Sequence, residues 1–195
     1  MASAEPAAGP VSVIVLAAGR GERFIASGGR MHKLDAPLAG RPVLAHVLET
    51  VRRAGFEPQL VRPPGGTSGM GESIAMGVRA TPDAAGWLIL PGDLPLVRAE
   101  TIAAVAAGLA GHAVVVPTFQ GRPGHPVGFA SGCFTALAAL GGDAGAKAVV
   151  QAHRRSGGVL ELPVADPGIV LDIDRLDDLH EMNMVDSPVR AFLHA

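Results

Sequence analysis

VSVIVLAAGRGERFIASGGRMHK, residues 11–33, opens on a short apolar run, Val13-Ile14-Val15-Leu16, bounded by small residues. The run is too short for a helix and reads as a parallel strand buried on both faces. It breaks into Ala17-Ala18-Gly19-Arg20-Gly21-Glu22-Arg23, which has no bulky side chain before Arg20. A loop of that kind at the carboxyl end of a strand lets a ligand lie against bare backbone, where peptide N–H groups can cradle phosphate. Arg20, Arg23, Arg30 and Lys33 then stand against a single acid, Glu22. The composition suits a polyanion.

Two familiar phosphate motifs do not fit. Gly19-x-Gly21 lacks the third glycine of a dinucleotide-binding turn, because position 24 is Phe24. A Walker-type loop needs Gly-Lys-Ser/Thr, and Lys33 is followed by Leu34. An ordinary Gly-rich turn with solvated arginines is the other reading that these residues alone permit.

The whole chain sets bounds. Its 195 residues are most simply one domain with a full core. A net charge of −2 and a pI near 6.4 argue against a general nucleic-acid or membrane-surface binder. Basic residues crowd nevertheless between Arg20 and Arg62, which suits a small anionic ligand. One cysteine, Cys133, permits no internal disulfide and no Cys-rich metal site, and fits a reducing cytoplasm. No apolar run approaches a membrane span. Residues 1–10, MASAEPAAGP, read as a disordered tail without the features of a signal peptide, and 187–195 as a loosely held C-terminal tail. The domain is expected to span residues 11–186.

Further along, Pro42 to Ala54 reads as a helix with Val43, Val47 and Val51 on one face, ended by Gly55. His46 on it reads as packed or surface rather than catalytic. Gln59-Leu60-Val61 is a short strand cut off by Pro63-Pro64-Gly65-Gly66. Gly69-Met70-Gly71-Glu72-Ser73 precedes a helical run to about Ala80. It is either a helix-start cradle for a base edge or phosphate, or a plain cap served by Ser68 or Ser73. Trp87-Leu88-Ile89-Leu90 is a second buried strand, ending in Pro91-Gly92-Asp93-Leu94-Pro95. A carboxylate just past such a strand lies where ligands bind open α/β sheets, and Mg²⁺ takes one or two carboxylates plus substrate phosphates. Asp93 can also be a simple turn residue.

Ala99 to Leu109 reads as a helix, Ala113 to Val116 as a strand, and Gln120 to Pro126 as a loop. His125, between Gly124 and Pro126, belongs to that loop, which favours substrate contact over packing. Phe134–Leu140 and Ala144–Arg154 read as helices. Asp143 stands near the second one's start, where charge order alone would explain it, or where 142–145 would cradle a substrate group. Val159–Leu162 and Ile169–Leu171 read as late strands. The second delivers Asp172 and Asp174 to one face, where paired carboxylates repel unless a cation sits between them. Asp174 is also a good cap for a helix from Leu176.

The residues resemble a known family. LAAGRGERF, Lys33-Leu34, 38–44 (LAGRPVL), 69–73 (GMGES), 91–95 (PGDLP), 124–129 (GHPVGF), 142–147 (GDAGAK) and Asp172-Ile173-Asp174 occur in the order seen in MobA-like nucleotidyltransferases. Within these the molybdenum cofactor cytidylyltransferase branch is most similar. The resemblance implies a three-layer α/β/α, Rossmann-like domain with a mostly parallel sheet. Two departures stand out: only 56–68 separates the first long helix from the GMG block, so one βα unit is shortened, and the Arg23–Lys33 segment is long. These predict a smaller sheet on that side, a more open site, and a mobile flap.

The implied activity is transfer of a nucleotidyl group, CMP from CTP, to a phosphorylated molybdopterin-type acceptor, with Mg²⁺ and release of pyrophosphate. Arg23, Lys33 and Asp93 would be catalytic. Leu16, Ala17, Ala18, Gly19, Arg20, Gly21, Gly69, Gly71 and Ser73 would hold the nucleotide, with Ala18 marking cytidine over guanosine. His125, Asp143, Gly145 and Lys147 would face the acceptor, and Asp93, Asp172 and Asp174 the metal. A recipient molybdoenzyme or its chaperone is a further implied partner. A guanylyltransferase, another nucleotidyltransferase with a different acceptor, and a non-catalytic cofactor-delivery protein are the alternatives.

Overall fold

A computed structural model describes residues 9–184. Residues 1–8 of the expected N-terminal tail, and the expected C-terminal tail, lie outside the described residues. Gly9 pairs with the 83–85 turn, donating to the Asp83 carbonyl at 2.8 Å and accepting from Ala85 N–H at 3.0 Å.

The chain runs through β1 (Ser12–Leu16), α1 (Glu22–Ala26), a 3₁₀ turn (Lys33–Asp35), β2 (Pro37–Leu38), β3 (Arg41–Pro42) and α2 (Val43–Arg53). It continues with β4 (Pro58–Val61), α3 (Met70–Ala80), β5 (Gly86–Pro91), α4 (Ala99–Gly108), β6 (Val114–Phe119), β7 (Arg122–Pro123) and β8 (Val127–Ala130). Then come α5 (Phe134–Ala138), α6 (Lys147–Arg155), β9 (Val159–Pro163), a 3₁₀ turn at Pro167–Val170, and α7 (Leu176–Asn183). Among the described residues, a seven-stranded sheet orders as β4-β1-β5-β8-β6-β7, with β9 on β6. β4, β1 and β5 are mutually parallel, β8 runs against β5 and β6, and β9 is parallel to β6. The sheet is therefore mostly parallel, with β8 and the short β7 reversed.

Alternation along the strands feeds two cores. Val13 and Val15 of β1, with Leu88 and Leu90 of β5, meet Val43, Val47 and Val51 of α2, Ile102 of α4 and Leu179 of α7 on one face. Ile14, Trp87, Ile89 and Phe129 meet Ile74 and Val78 of α3, Leu137 of α5 and Val149 of α6 on the other. This is the three-layer arrangement. Each fully buried large side chain contributes about 1.5–3 kcal/mol. No helix among the described residues is long and apolar enough to cross a membrane.

β4 is the edge strand, and the chain passes from it directly to α3 through residues 62–69, so the shortened unit leaves no further strand beyond β4 among the described residues. His46 is buried, with Nε2 2.8 Å from the Leu38 carbonyl oxygen, as a packed histidine should be.

Several expectations are corrected. Residues 169–171 form no strand. Pro167 and Gly168 turn the chain instead, and a side chain at Gly168 would collide with Leu96 backbone. The apolar residues act as plugs, with Ile169 and Ile173 buried, rather than as a ladder. Gln120 and Gly121, both at positive φ (51° and 77°), close a tight hairpin that pairs β7 with β6 where a plain loop was expected. β8 was not anticipated. Its Gly128 weakens the strand signal, and that glycine lies where a Cβ would come within 3.0 Å of Val105 on α4. α6 starts at Lys147, not 144, so Asp143 precedes it by a full turn. Ser68 and Ser73 do not cap α3, which has Gly69 as its N-cap; the Ser73 hydroxyl donates back to the Gly69 carbonyl at 3.1 Å. Asp174 is not the cap of α7 either, because the Asp178 carboxylate folds back to accept the Asp174 and Arg175 N–H groups at 2.9 and 2.6 Å.

Candidate active site

The carboxyl ends of β1, β4 and β5 set the floor. Ala17 N–H donates to the Val61 carbonyl at 2.9 Å, and Gly92 N–H to the Leu16 carbonyl at 2.8 Å, so the loops after three neighbouring strands leave the sheet together. Beyond Ala17 the pairing stops. The N–H groups of Ala18, Gly19, Arg20 and Gly21 have no acceptor among the described residues. Gly21, at φ 65°, turns this loop into α1. Unpaired donors at a strand-to-helix junction are what an anionic ligand needs.

A cavity of about 630 Å³ opens over this loop. It is lined by Leu16, Ala17, Ala18, Gly19, Arg20, Gly21, Arg23 and Lys33 from the first loop, and by Gly69, Ser73, Asp93, Asp143 and Asp174 from later ones. The structure brings these sequence-predicted residues together; Gly71, His125, Gly145, Lys147 and Asp172 lie outside the lining.

Charge is concentrated at one end. Lys33 Nζ stands 2.6 Å from an Asp93 oxygen and 2.9 Å from Asp174, and Arg23 reaches the other Asp174 oxygen at 2.7 Å. The Lys33 side chain is only 13% exposed. Burial works against its charge, but the Asp93 and Asp174 carboxylates outweigh that and hold its pKa above the ordinary lysine value. The Lys33 hydrogen bond in turn holds Asp174 below the usual carboxylate range. Asp172 has no such hydrogen bond among the described residues; although it is exposed, partial desolvation first, then repulsion from Asp93 and Asp174, pushes its pKa up. One oxygen each from Asp93, Asp172 and Asp174 lie within 4.8 Å of one another. Three hard oxygens in that space fit a divalent cation of the Mg²⁺ or Mn²⁺ kind, and the Lys33 ammonium already rests on two of these three carboxylates.

The start of α3 meets the 141–143 loop. Gly71 N–H donates to the Gly142 carbonyl at 2.8 Å, and a Cβ at Gly71 would lie 2.6 Å from the Gly141 carbonyl oxygen. Gly69 is equally crowded by Gly142 and Asp143. These glycines thus have a packing reason: they let the loop dock and carry Asp143 to the cavity rim. Gly145 sits against Met70, whose sulfur would be 3.1 Å from a Cβ there, and Lys147 is exposed. His125 is half-buried. Its N–H donates to the Ile169 carbonyl at 3.0 Å, and burial lowers its pKa, against the opposing pull of Asp93 and Asp172. It lies beside the carboxylates rather than in the cavity.

Sequence reasoning missed His32, Thr67 and Ser68, which also line the cavity. The Thr67 and Ser73 hydroxyls are 2.7 Å apart at its α3 end. Thr67 and Ser68 abut the GMG block, which was the signal available for them; His32 had only its place next to Lys33.

Comparison with known proteins bears on the family and the fold. The bifunctional protein GlmU of Halorhodospira halophila is 36% identical over 137 residues, 58% of this chain and 28% of that protein. The chain spans only 24–30% of the length of such curated relatives. Rv0371c of Mycobacterium tuberculosis H37Rv superposes with a TM-score of 0.74 at 26% identity, covering 91% of this chain and 99% of that one, and has also been solved in complex with manganese. Mth528, a nucleotidyl transferase from Methanothermobacter, shares the fold with a TM-score of 0.76 at 21% identity, over 95% and 98% of the two chains. A family model described as the MobA-like NTP transferase domain matches residues 13–156, and the chain belongs to that family.

Proposed function

We propose that this chain is a Mg²⁺-dependent cytoplasmic nucleotidyltransferase that moves CMP from CTP to a phosphorylated, molybdopterin-type acceptor and releases pyrophosphate. The supporting observation is the meeting, at one cavity, of four unpaired loop N–H groups, the Lys33 ammonium and the Asp93/Asp174 carboxylates. An acceptor phosphate oxygen attacks the α-phosphorus, and the bond to the oxygen bridging to the β-phosphate breaks as pyrophosphate leaves. Little covalent chemistry falls to the protein, so positioning and charge neutralisation carry the rate.

In this reading the 18–21 N–H groups and Arg23 hold the β- and γ-phosphates. Lys33 leaves the carboxylates to neutralise charge between the α-phosphate and the incoming phosphate. Ala17, Ala18, Gly69 and Ser73 frame the base and ribose, and Gly71 supports them from behind through its bond to the Gly142 carbonyl. Asp93 with Asp172 or Asp174 would hold the metal, which supplies positive charge at the α-phosphate when bound. His125, Asp143, Gly145 and Lys147 take the acceptor side, and a molybdoenzyme or its chaperone receives the product.

The test is calorimetric titration of CTP and GTP with Mg²⁺ into wild type and Ala18→Gly. Ala18 is 7% exposed at the cavity wall, and a methyl-sized change there is worth roughly 10–200-fold in discrimination. Wild type is expected to prefer CTP and the variant to shift toward GTP. Preference for GTP in wild type would replace the cytidylyl assignment with the guanylyl one, and binding of neither would remove the reading.

A further inference from the structure

His32 links the two halves of the site through both ring nitrogens. Nδ1 accepts the Leu34 N–H at 3.2 Å, capping the 3₁₀ turn that carries Lys33. Nε2 lies 2.7 Å from the Gly19 carbonyl oxygen, in the middle of the loop of unpaired N–H groups. Because Nδ1 must accept, a neutral ring carries its proton on Nε2, which then donates to Gly19. The ring packs on Gly21, where an added Cβ would come within 3.5 Å of it, and it lines the cavity beside Lys33. No other described side chain bonds to both the 17–21 loop and the Lys33 turn.

We propose that His32 is a positioning residue that fastens the phosphate-binding loop to the Lys33 turn. Its two bonds have separable effects. The Nε2–H bond fixes the 19–20 peptide and engages its carbonyl oxygen, which would otherwise be free to turn toward phosphate oxygens and repel them. The Nδ1 bond shapes the turn, so that the Lys33 ammonium projects onto Asp93 and Asp174. The inference rests on the nucleotidyltransferase reading for its purpose, but its geometry can be tested without an acceptor.

Two substitutions divide the ring. The Asn side-chain oxygen takes the place of Nδ1 and keeps the turn capped while losing the bond to Gly19. The Gln side-chain nitrogen takes the place of Nε2 and keeps the bond to Gly19 while losing the cap. Affinity for CTP and GTP with Mg²⁺ reports on the loop. The state of Lys33 can be read by mass spectrometry as its acetylation rate by an N-hydroxysuccinimide ester, with exposed Lys147, the chain's only other lysine, as internal reference.

His32→Asn should weaken nucleotide binding by about three- to tenfold, the worth of one hydrogen bond, and leave the Lys33/Lys147 acetylation ratio at the wild-type value. His32→Gln should raise that ratio by about the same factor with nucleotide affinity within about twofold of wild type. Variants that match wild type in both readouts, or that move both readouts together, would overturn the proposal and leave His32 as general packing. If wild type binds neither nucleotide, the functional reading fails, while the acetylation ratios still decide whether His32 sets Lys33.

Discussion

The Lys33 ammonium sits 2.6 Å from an Asp93 oxygen and 2.9 Å from Asp174, two of the three carboxylates that would hold a divalent cation. A lysine ammonium and a divalent cation about 4 Å apart in a partly buried site repel by about 8 kcal/mol at an effective dielectric near 20, so the two compete for these carboxylates. Lys33 is thus the internal counter-ion of the carboxylates, and under the proposed function a triphosphate would draw it away. Lys33→Ala is expected to bind Mn²⁺, without nucleotide, at least ~10-fold more tightly than wild type, while slowing transfer by more than it weakens CTP binding. Free Mn²⁺ can be followed by electron paramagnetic resonance. Unchanged or weaker Mn²⁺ binding would mean that Lys33 and the ion do not compete. In the sequence, Lys33 and the carboxylates were legible through family-like blocks, but their direct contact was not, because positions 33, 93 and 174 come from two turns and a strand end that meet only in the folded chain.

At the scale of elements, the α3 start and the 141–143 loop behave as one unit. Glycine in a helix normally costs about 1 kcal/mol against alanine, so Gly71→Ala would stabilise an isolated helix. Here the added methyl meets the Gly141 carbonyl oxygen at 2.6 Å, backbone that cannot rotate aside. Gly71→Ala should therefore destabilise the protein by about 1–3 kcal/mol, lowering the melting temperature by several degrees. It should also weaken nucleotide binding as Gly69 and Ser73, which line the cavity at the start of α3, are displaced. Gly141→Ala, with open space around it, is the control, and equal melting curves for the two variants would refute the packing account. β1, β5 and α3 were readable because apolar runs and helical periodicity are local signals. β8 and the 167–170 turn were not. Gly128 is dictated by a neighbouring helix and Gly168 by Leu96 backbone, and neither neighbour is close in sequence.

Across the whole molecule, parallel strands deliver the 17–21 loop and Asp93 to one edge, and the chain leaving the 3₁₀ turn at Pro167–Val170 brings the Asp172–Asp174 segment to it, where the net charge of −2 conceals a site that gathers both signs. Ile173 N–H donates to the Asp93 carbonyl at 3.0 Å, so the last carboxylates are tied to the strand that carries the first. The fold follows from buried strands and two helical layers, whereas the proposed acceptor side leaves a fainter mark, with His125 beside the carboxylates and Lys147 outside the cavity. The central claim is that this edge performs metal-dependent nucleotidyl transfer. It is tested most directly by pyrophosphate release from CTP with molybdopterin and Mg²⁺, compared between wild type and Asp93→Asn at matched folding by melting curve. The account predicts acceptor-dependent pyrophosphate release by wild type, abolished by chelating the metal and reduced by at least ~100-fold in Asp93→Asn, the scale of losing one electrostatic stabiliser. Pyrophosphate released equally by the variant, or by neither protein with CTP or GTP, would contradict it.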